Sequence, residues 1–220
     1  ISYKQLSNII YVLLIIVFIL STIGLGMRTY IGGRLPLGNG YETMLFVSWC
    51  ALISSILLRR YSLIIPSFGF LIAGFALLVA HLGAMNPKIG NLVPVLSSPL
   101  LSIHVSVIMF SYALAGFMVL NSLTTFLLYI FGKKNNIETL QAVIKKLRVL
   151  SDMLLYPCAF FLAAGIFIGA IWANVSWGRY WGWDPKEVWA LITFLLAALP
   201  FHTKTLTWFR NIFFYNIYIL

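Results

Sequence analysis

Long apolar runs alternate with short polar segments along almost the whole chain of 220 residues. A membrane span needs about 20 apolar residues. Because lipid offers no hydrogen-bond partners to an open backbone, we expect each long run to be a helix. The runs lie at about 8–27, 43–58, 62–83, 101–131, 153–173 and 188–201, and another begins near Ile212. The pattern therefore predicts an all-α polytopic transmembrane helix bundle of about six spans, plus the start of a seventh, in one domain covering 1–220.

The composition excludes several classes of protein. Hydrophobic residues make up 61% of the chain and charged residues only 9%, against roughly a quarter in soluble domains. With a mean hydropathy of +0.97, a soluble enzyme, a disordered tail and a disulfide-stapled domain are all excluded. Cys50 and Cys158 each stand alone in an apolar run, which is typical of small buried hydrophobic residues. The chain begins without methionine and stops inside an apolar run, so we expect a segment of a longer polypeptide, truncated at both ends.

The basic residues predict the orientation. Ten of the 15 Lys and Arg residues lie in one set of alternate connections, and five lie in the other. The first set comprises the N-terminus and segments 59–60, 132–152 and 202–210; the second comprises 28–40, 84–100 and 174–187. Cytoplasmic loops carry the basic excess, so the second set should face outward. We therefore attribute the net charge of +10 to loops at a membrane and expect no nucleic-acid partner.

A basic amphipathic helix is predicted over about 136–150, on the cytoplasmic surface. Its apolar residues Ile137, Leu140, Ile144 and Leu147 recur at helical spacing, while Lys145, Lys146 and Arg148 point elsewhere.

Three outward loops end in helix-start signals. Asn39 to Glu42 has the pattern of a capping box, in which Asn39 accepts from the Glu42 amide and Glu42 reaches back to the Asn39 amide. Ser98-Pro99 offers a hydroxyl N-cap followed by proline at the first helical position. Asp184 to Glu187 again has the pattern of a capping box. Helix N-termini favour anions, so three at one surface would suit a ligand that carries carboxylates.

One aromatic loop is the most informative stretch. Five of the seven tryptophans lie between Trp172 and Trp189. Interfacial aromatic belts explain one or two tryptophans at a helix end. Glycines at 178 and 182 would let a flat ligand approach the backbone, and Arg179 and Lys186 could pair with its acidic groups. Candidate ring contacts are Trp177, Trp181 and Trp183, next to Tyr180. Haem or a similar macrocycle, a quinone, and a simple belt all fit these residues.

The histidines narrow the chemistry. His104 lies six residues after Ser98, near the outward surface and at about the depth of the aromatic loop. An ionisable residue inside a membrane is a functional candidate, and a neutral imidazole is a natural axial ligand for haem iron. His202 follows the sixth run at its cytoplasmic end and is more typical of an interfacial residue. His81 has no evident partner, and we interpret it as structural.

The segment WGRYWGWDPKE, Trp177 to Glu187, resembles the "WWD" signature of haem-handling membrane proteins, a family that includes CcsA (also called ResC), CcmC and CcmF. Three further stretches resemble the CcsA and CcsBA branch of system II cytochrome c synthases. They are LPLGNGYE from Leu35, LVPVLSSPLLSIHV from Leu92, and ALITF before His202. Together with the WWD segment they cover about 25–202.

The resemblance implies a cytochrome c synthase, or haem lyase, that works with CcsB, either separate or fused. Its substrates would be haem b (iron protoporphyrin IX) and the CxxCH segment of apocytochrome c. Haem would sit on the outward WWD loop, 172–187. His104 matches the first outward axial histidine and is the expected catalytic and iron-binding residue. His202 matches a histidine of a haem site within the membrane. The second outward histidine of the family lies further along than Leu220.

The remaining expectations concern neighbouring residues and location. Asp184 and Glu187 should mainly cap their helix and support the haem site indirectly, and Tyr41 and Glu42 should support the same surface. The membrane would be a bacterial inner membrane or a thylakoid, with the loop facing the periplasm or lumen and lipid around the bundle. Two alternatives remain: a haem exporter without ligase chemistry and a quinone-linked redox subunit.

Overall fold

A computed structural model describes residues 2–90, 98–132 and 137–220. These residues form helices joined by turns and loops, and they contain no strand. The helices are α1 (Tyr3–Gly32), α2 (Gly40–Leu58), α3 (Ile65–Leu82), α4 (Pro99–Phe131), α5 (Ile137–Trp177), α6 (Pro185–Ala198) and α7 (Ile212–Ile219). The prediction of an all-α polytopic bundle is confirmed. Six of the 14 residues in the matched stretch that begins at Leu92, and the first residue of the predicted amphipathic helix, lie outside the described ranges.

The lengths of the helices decide which of them can cross a membrane. Within the described residues, α1 to α5 are long and apolar enough to do so. Helix α6 has 14 residues, or about 21 Å. A 3₁₀ turn over Leu199–His202 adds about 8 Å. Only together do they approach the roughly 30 Å of a hydrocarbon core.

Helix α5 is longer than the sequence pattern suggested. Its 41 residues join the predicted surface helix to the fifth span without a break. Ile144 and Leu147 are buried while Lys145 and Lys146 are exposed, which agrees with the predicted amphipathic face. No glycine or proline occurs between Ile137 and Tyr156, so nothing in this stretch ends the helix.

The core lies between two helix pairs. Helices α4 and α5 pack along each other, α2 packs on α3, and α2 also touches α4. The largest buried apolar side chains there include Leu52, Phe68, Phe117 and Leu162. Helix α1 lies at the edge with most of its apolar side chains exposed, so we expect it to face lipid. Both cysteines are buried free thiols, as predicted.

Candidate functional site

His104 lies on the first turns of α4 and faces α5. It follows Pro99 by five residues, which corresponds to about 7.5 Å along the helix axis. Its Nδ1 atom is 2.7 Å from the carbonyl oxygen of Gly165. Because a carbonyl can only accept, Nδ1 must carry the proton. In the neutral imidazole, Nε2 then keeps its lone pair and is the nitrogen available to a metal.

Two glycines of α5, one turn apart, allow this contact. A Cβ atom added at Gly169 would lie 2.6 Å from Cε1 of His104, and one at Gly165 would overlap the side chain of Ile108. The two helices therefore approach closely where α5 has no side chains. Neither glycine was predicted from the sequence, although the spacing G-x-x-x-G within an apolar helix was a visible signal.

The face of α5 that carries Gly169 also carries Trp172, close to the end of the helix where the aromatic loop begins. Trp172 follows Gly169 by three residues, so the two share a face of the helix. Trp172 is 9% exposed, and its ring meets that of Trp177 edge to face at 4.7 Å between centroids. Its buried Nε1–H has no hydrogen-bond partner among the described residues. The histidine and the last two tryptophans of α5 are thus brought to one end of the α4–α5 pair.

Of the predicted aromatic loop, 172–187, residues 172–177 belong to α5 and 185–187 belong to α6. The loop that remains between the two helices begins and ends with left-handed backbone. Gly178, with φ of 71°, follows the last residue of α5. Trp183 has φ of 57°, which is uncommon for a bulky residue. The rings of Trp181 and Trp183 meet edge to face at 5.9 Å, and the Trp183 side chain is 74% exposed. The loop therefore presents at least one large aromatic surface that the described part of the chain does not cover.

The predicted capping box at the start of α6 is confirmed. Asp184 accepts from the amides of Lys186 at 2.8 Å and Glu187 at 2.9 Å. Glu187 accepts from the amides of Gly182 at 2.7 Å and Asp184 at 3.3 Å. The Arg179 guanidinium lies against Gly182, where a Cβ atom would be 3.1 Å from its Cζ atom. These contacts fix the end of the loop to α6 and leave Lys186 exposed.

The other two helix starts differ from the prediction. Asn39 accepts from the Glu42 amide at 2.8 Å, as expected. The expected return bond from Glu42 to the Asn39 amide is wrong, because the carboxylate instead accepts from Gly38 at 2.8 Å and from Arg34 at 2.8 Å. An arginine gives a stronger, charge-assisted bond than an amide alone. Ser98 precedes Pro99, but its hydroxyl caps no amide.

Glu42 is the centre of a small charged cluster. Its side chain is 1% exposed, and Arg28 lies 3.9 Å from its second oxygen. The Arg28 guanidinium also covers the ring of Tyr41 at 5.2 Å. Arg28 and Arg34 donate to the backbone oxygens of Pro87 and Gly90. The cluster therefore joins the α1–α2 loop to the α3–α4 loop.

The other histidines lie apart from His104. His202 is exposed at the end of the 3₁₀ turn that follows α6, at the opposite end of α6 from the aromatic loop. His81 is exposed in the last turn of α3. Neither contacts the imidazole of His104 in the described residues.

Comparisons with known proteins agree with these features. A family model described as "Cytochrome C assembly protein" matches residues 37–219. The chain is 44% identical over 192 residues to "Protein NrfI" of Wolinella succinogenes, covering 87% of this chain and 21% of that protein.

Relatives named "Cytochrome c biogenesis protein CcsA" also match. The one from Chlamydomonas reinhardtii is 36% identical, over 90% of this chain and 55% of its own length. The one from Guillardia theta is 32% identical, over 94% of this chain and 77% of its own. The chain thus spans about a fifth of NrfI and about half of the Chlamydomonas protein. With the family model matching most of its length, the chain belongs to the cytochrome c assembly protein family.

Proposed function

We propose that this chain holds haem b at the outward end of α4 and α5 and serves its covalent attachment to the CxxCH segment of apocytochrome c. The observation that carries the proposal is the Nδ1 hydrogen bond of His104 to Gly165, which leaves Nε2 free for iron. Gly169, which the imidazole contacts, lies nine residues before Gly178, where the loop begins. The exposed tryptophan rings of that loop suit a flat apolar macrocycle. Family membership makes cytochrome c assembly the process.

The reaction requires little acid–base catalysis from the protein. A cysteine S–H adds across a haem vinyl group: a carbon–sulfur bond forms, and the thiol hydrogen ends on the neighbouring vinyl carbon. The addition needs no external oxidant or reductant. The protein contributes proximity and orientation of the vinyl edge to the two thiols. His104 would hold the iron, Trp181 and Trp183 would contact the ring, and Arg179 and Lys186 would attract its carboxylates.

Membrane orientation and partners belong to the same proposal. The basic excess of the other set of connections supports an outward position for the α3–α4 loop, which precedes His104, and for the aromatic loop. This outward surface would face the periplasm in a bacterial inner membrane, or the lumen in a thylakoid. The incoming histidine of CxxCH would displace an axial ligand and release the product. We propose CcsB as the partner, and His202 as a ligand of a second haem site near the other end of α6.

Absorption spectra of the purified full-length protein test the assignment. We expect resolved α and β bands after dithionite reduction, as for low-spin haem with two axial ligands. His104→Gly should lose most bound haem and all thioether formation, while His81→Gly, which removes an exposed histidine, should keep both. Wild-type haem content and activity in His104→Gly would refute the proposal.

A second experiment separates the proposal from its rivals. Purified protein is mixed with reduced apocytochrome that carries CxxCH or a version with both cysteines changed to alanine. Thioether formation only with the intact segment supports a synthase. Haem release without thioether formation would instead indicate an exporter. Quinone binding without haem ligated by His104 would indicate a redox subunit.

A further inference from the structure

The imidazole of His104 occupies a notch in α5. The notch exists because Gly169 has no side chain: an added Cβ atom there would lie 2.6 Å from Cε1 and 2.7 Å from Nδ1 of the ring. Real Cβ atoms essentially never come that close. Even alanine at 169 would therefore push the ring away from its present position.

Because Gly169 has no side chain, it also leaves the carbonyl oxygen of Gly165 accessible to the ring of His104. In α5 the amide of residue 169 bonds the carbonyl of residue 165, as in any α-helix. A carbonyl has a second lone pair, and Nδ1 of His104 uses it from 2.7 Å away. A side chain at 169 would stand beside that carbonyl and hinder the approach of the ring. One glycine thus provides both the space and the open acceptor.

We propose that Gly169 and the carbonyl of Gly165 are positioning elements that fix the tautomer and direction of His104, so that Nε2 is presented to iron. The inference rests on the proposed function, because it takes His104 as an axial ligand. Metal-ligating histidines commonly donate their other ring N–H to a carbonyl, which sets the tautomer and increases ligand basicity. Loss of such a partner typically costs 10–100-fold in metal affinity.

The tautomer can be measured without haem. Nitrogen-15 NMR of haem-free, full-length protein labelled at histidine distinguishes a protonated Nδ1 from a protonated Nε2, and His104→Gly identifies the signal of His104. We expect a proton on Nδ1 in the wild type and a mixture of tautomers in Gly169→Ala. A proton on Nε2 in the folded wild type would overturn the proposal.

Haem binding gives the second readout. Gly169→Ala should bind haem about 10–100-fold more weakly and shift the reduced spectrum of what remains bound. Gly74→Ala is the matched control in α3, since nothing lies within 4 Å of its added Cβ atom. Cys158→Ala is the control for packing, because Cys158 is buried against Ser111 of α4, away from the ring. Equal haem loss per folded protein in Cys158→Ala and Gly169→Ala would overturn the positioning role.

The proposed function and the positioning role of Gly169 can be refuted separately. If His104→Gly keeps its haem, the proposed function fails, whatever Gly169→Ala does. If His104→Gly loses haem while Gly169→Ala keeps the wild-type affinity, spectrum and tautomer, only the positioning role fails. Loss of haem in both variants, with the tautomer altered in Gly169→Ala, supports both.

Discussion

The sharpest stability prediction concerns the buried carboxylate of Glu42. Glu42→Gln keeps the shape of the side chain but removes the charge that Arg34 and Arg28 share. Arg34 donates from 2.8 Å and the Gly38 amide from 2.8 Å, to a side chain that is 1% exposed. Hydrogen bonds to charged groups contribute about 1.5–3 kcal/mol each. Breaking a buried ion pair costs about 3–5 kcal/mol.

Arg34 is 19% exposed, so water relieves part of this loss, and we expect about 3 kcal/mol. For a domain of this size, 1 kcal/mol shifts Tm by about 2–4 °C. The variant should therefore unfold about 6–12 °C lower in detergent, as measured by circular dichroism or by tryptophan fluorescence. Glu138→Gln is the matched control, since Glu138 is exposed in the first turn of α5.

A double-mutant cycle with Arg34→Gln tests whether the loss of stability in Glu42→Gln comes from the contact with Arg34. Because the two side chains contact each other, the double variant should lose much less than the sum of the single variants. A Tm for Glu42→Gln within about 2 °C of wild type, or additive losses in the cycle, would show that this ion pair does not stabilise the two loops.

Three further predictions address the cap, the packing and the thiols. Asp184→Ala removes an N-cap and should cost about 1 kcal/mol; a much greater loss of haem than of folded protein would instead indicate direct contact with the ligand. Gly69→Ala would drive a Cβ atom into a serine side chain of α2 and should cost about 1–3 kcal/mol, whereas Gly74→Ala should not lower Tm, because alanine favours a helix more than glycine does. Cys50 and Cys158 are 1% and 3% exposed, so maleimide should label them only after denaturation, and rapid labelling of the folded protein would contradict their burial.

The helices could be predicted because lipid imposes a simple rule on hydropathy, and local signals such as the Asp184 cap followed from neighbouring residues. The 132–152 segment was read as a separate surface helix because its charges interrupt the apolar run. Charge alone does not end a helix, however, and α5 continues through it. A hydropathy profile identifies the part of a helix that can contact lipid, but it does not identify the residue at which the helix begins.

The site was less predictable because its decisive contacts are long-range. His104 and Gly165 are 61 residues apart, and only the packing of α4 on α5 brings them together. Glu42 was assigned a local partner, whereas its strongest one is Arg34, eight residues before it in the preceding loop. Sequence patterns predicted His104 as an axial ligand, but they could not say which of its nitrogens is free.

The backbone of Trp183 has a consequence for how the sequence was selected. Left-handed backbone costs a bulky L-residue about 1–2 kcal/mol, and glycine or asparagine would adopt it more cheaply. Trp183 is 74% exposed, so the burial of its indole within the chain offsets little of that destabilisation. Selection for folding alone would favour a smaller residue at this position. Under the proposed function, a tryptophan held there would contact the haem ring, at the expense of the stability of its own loop.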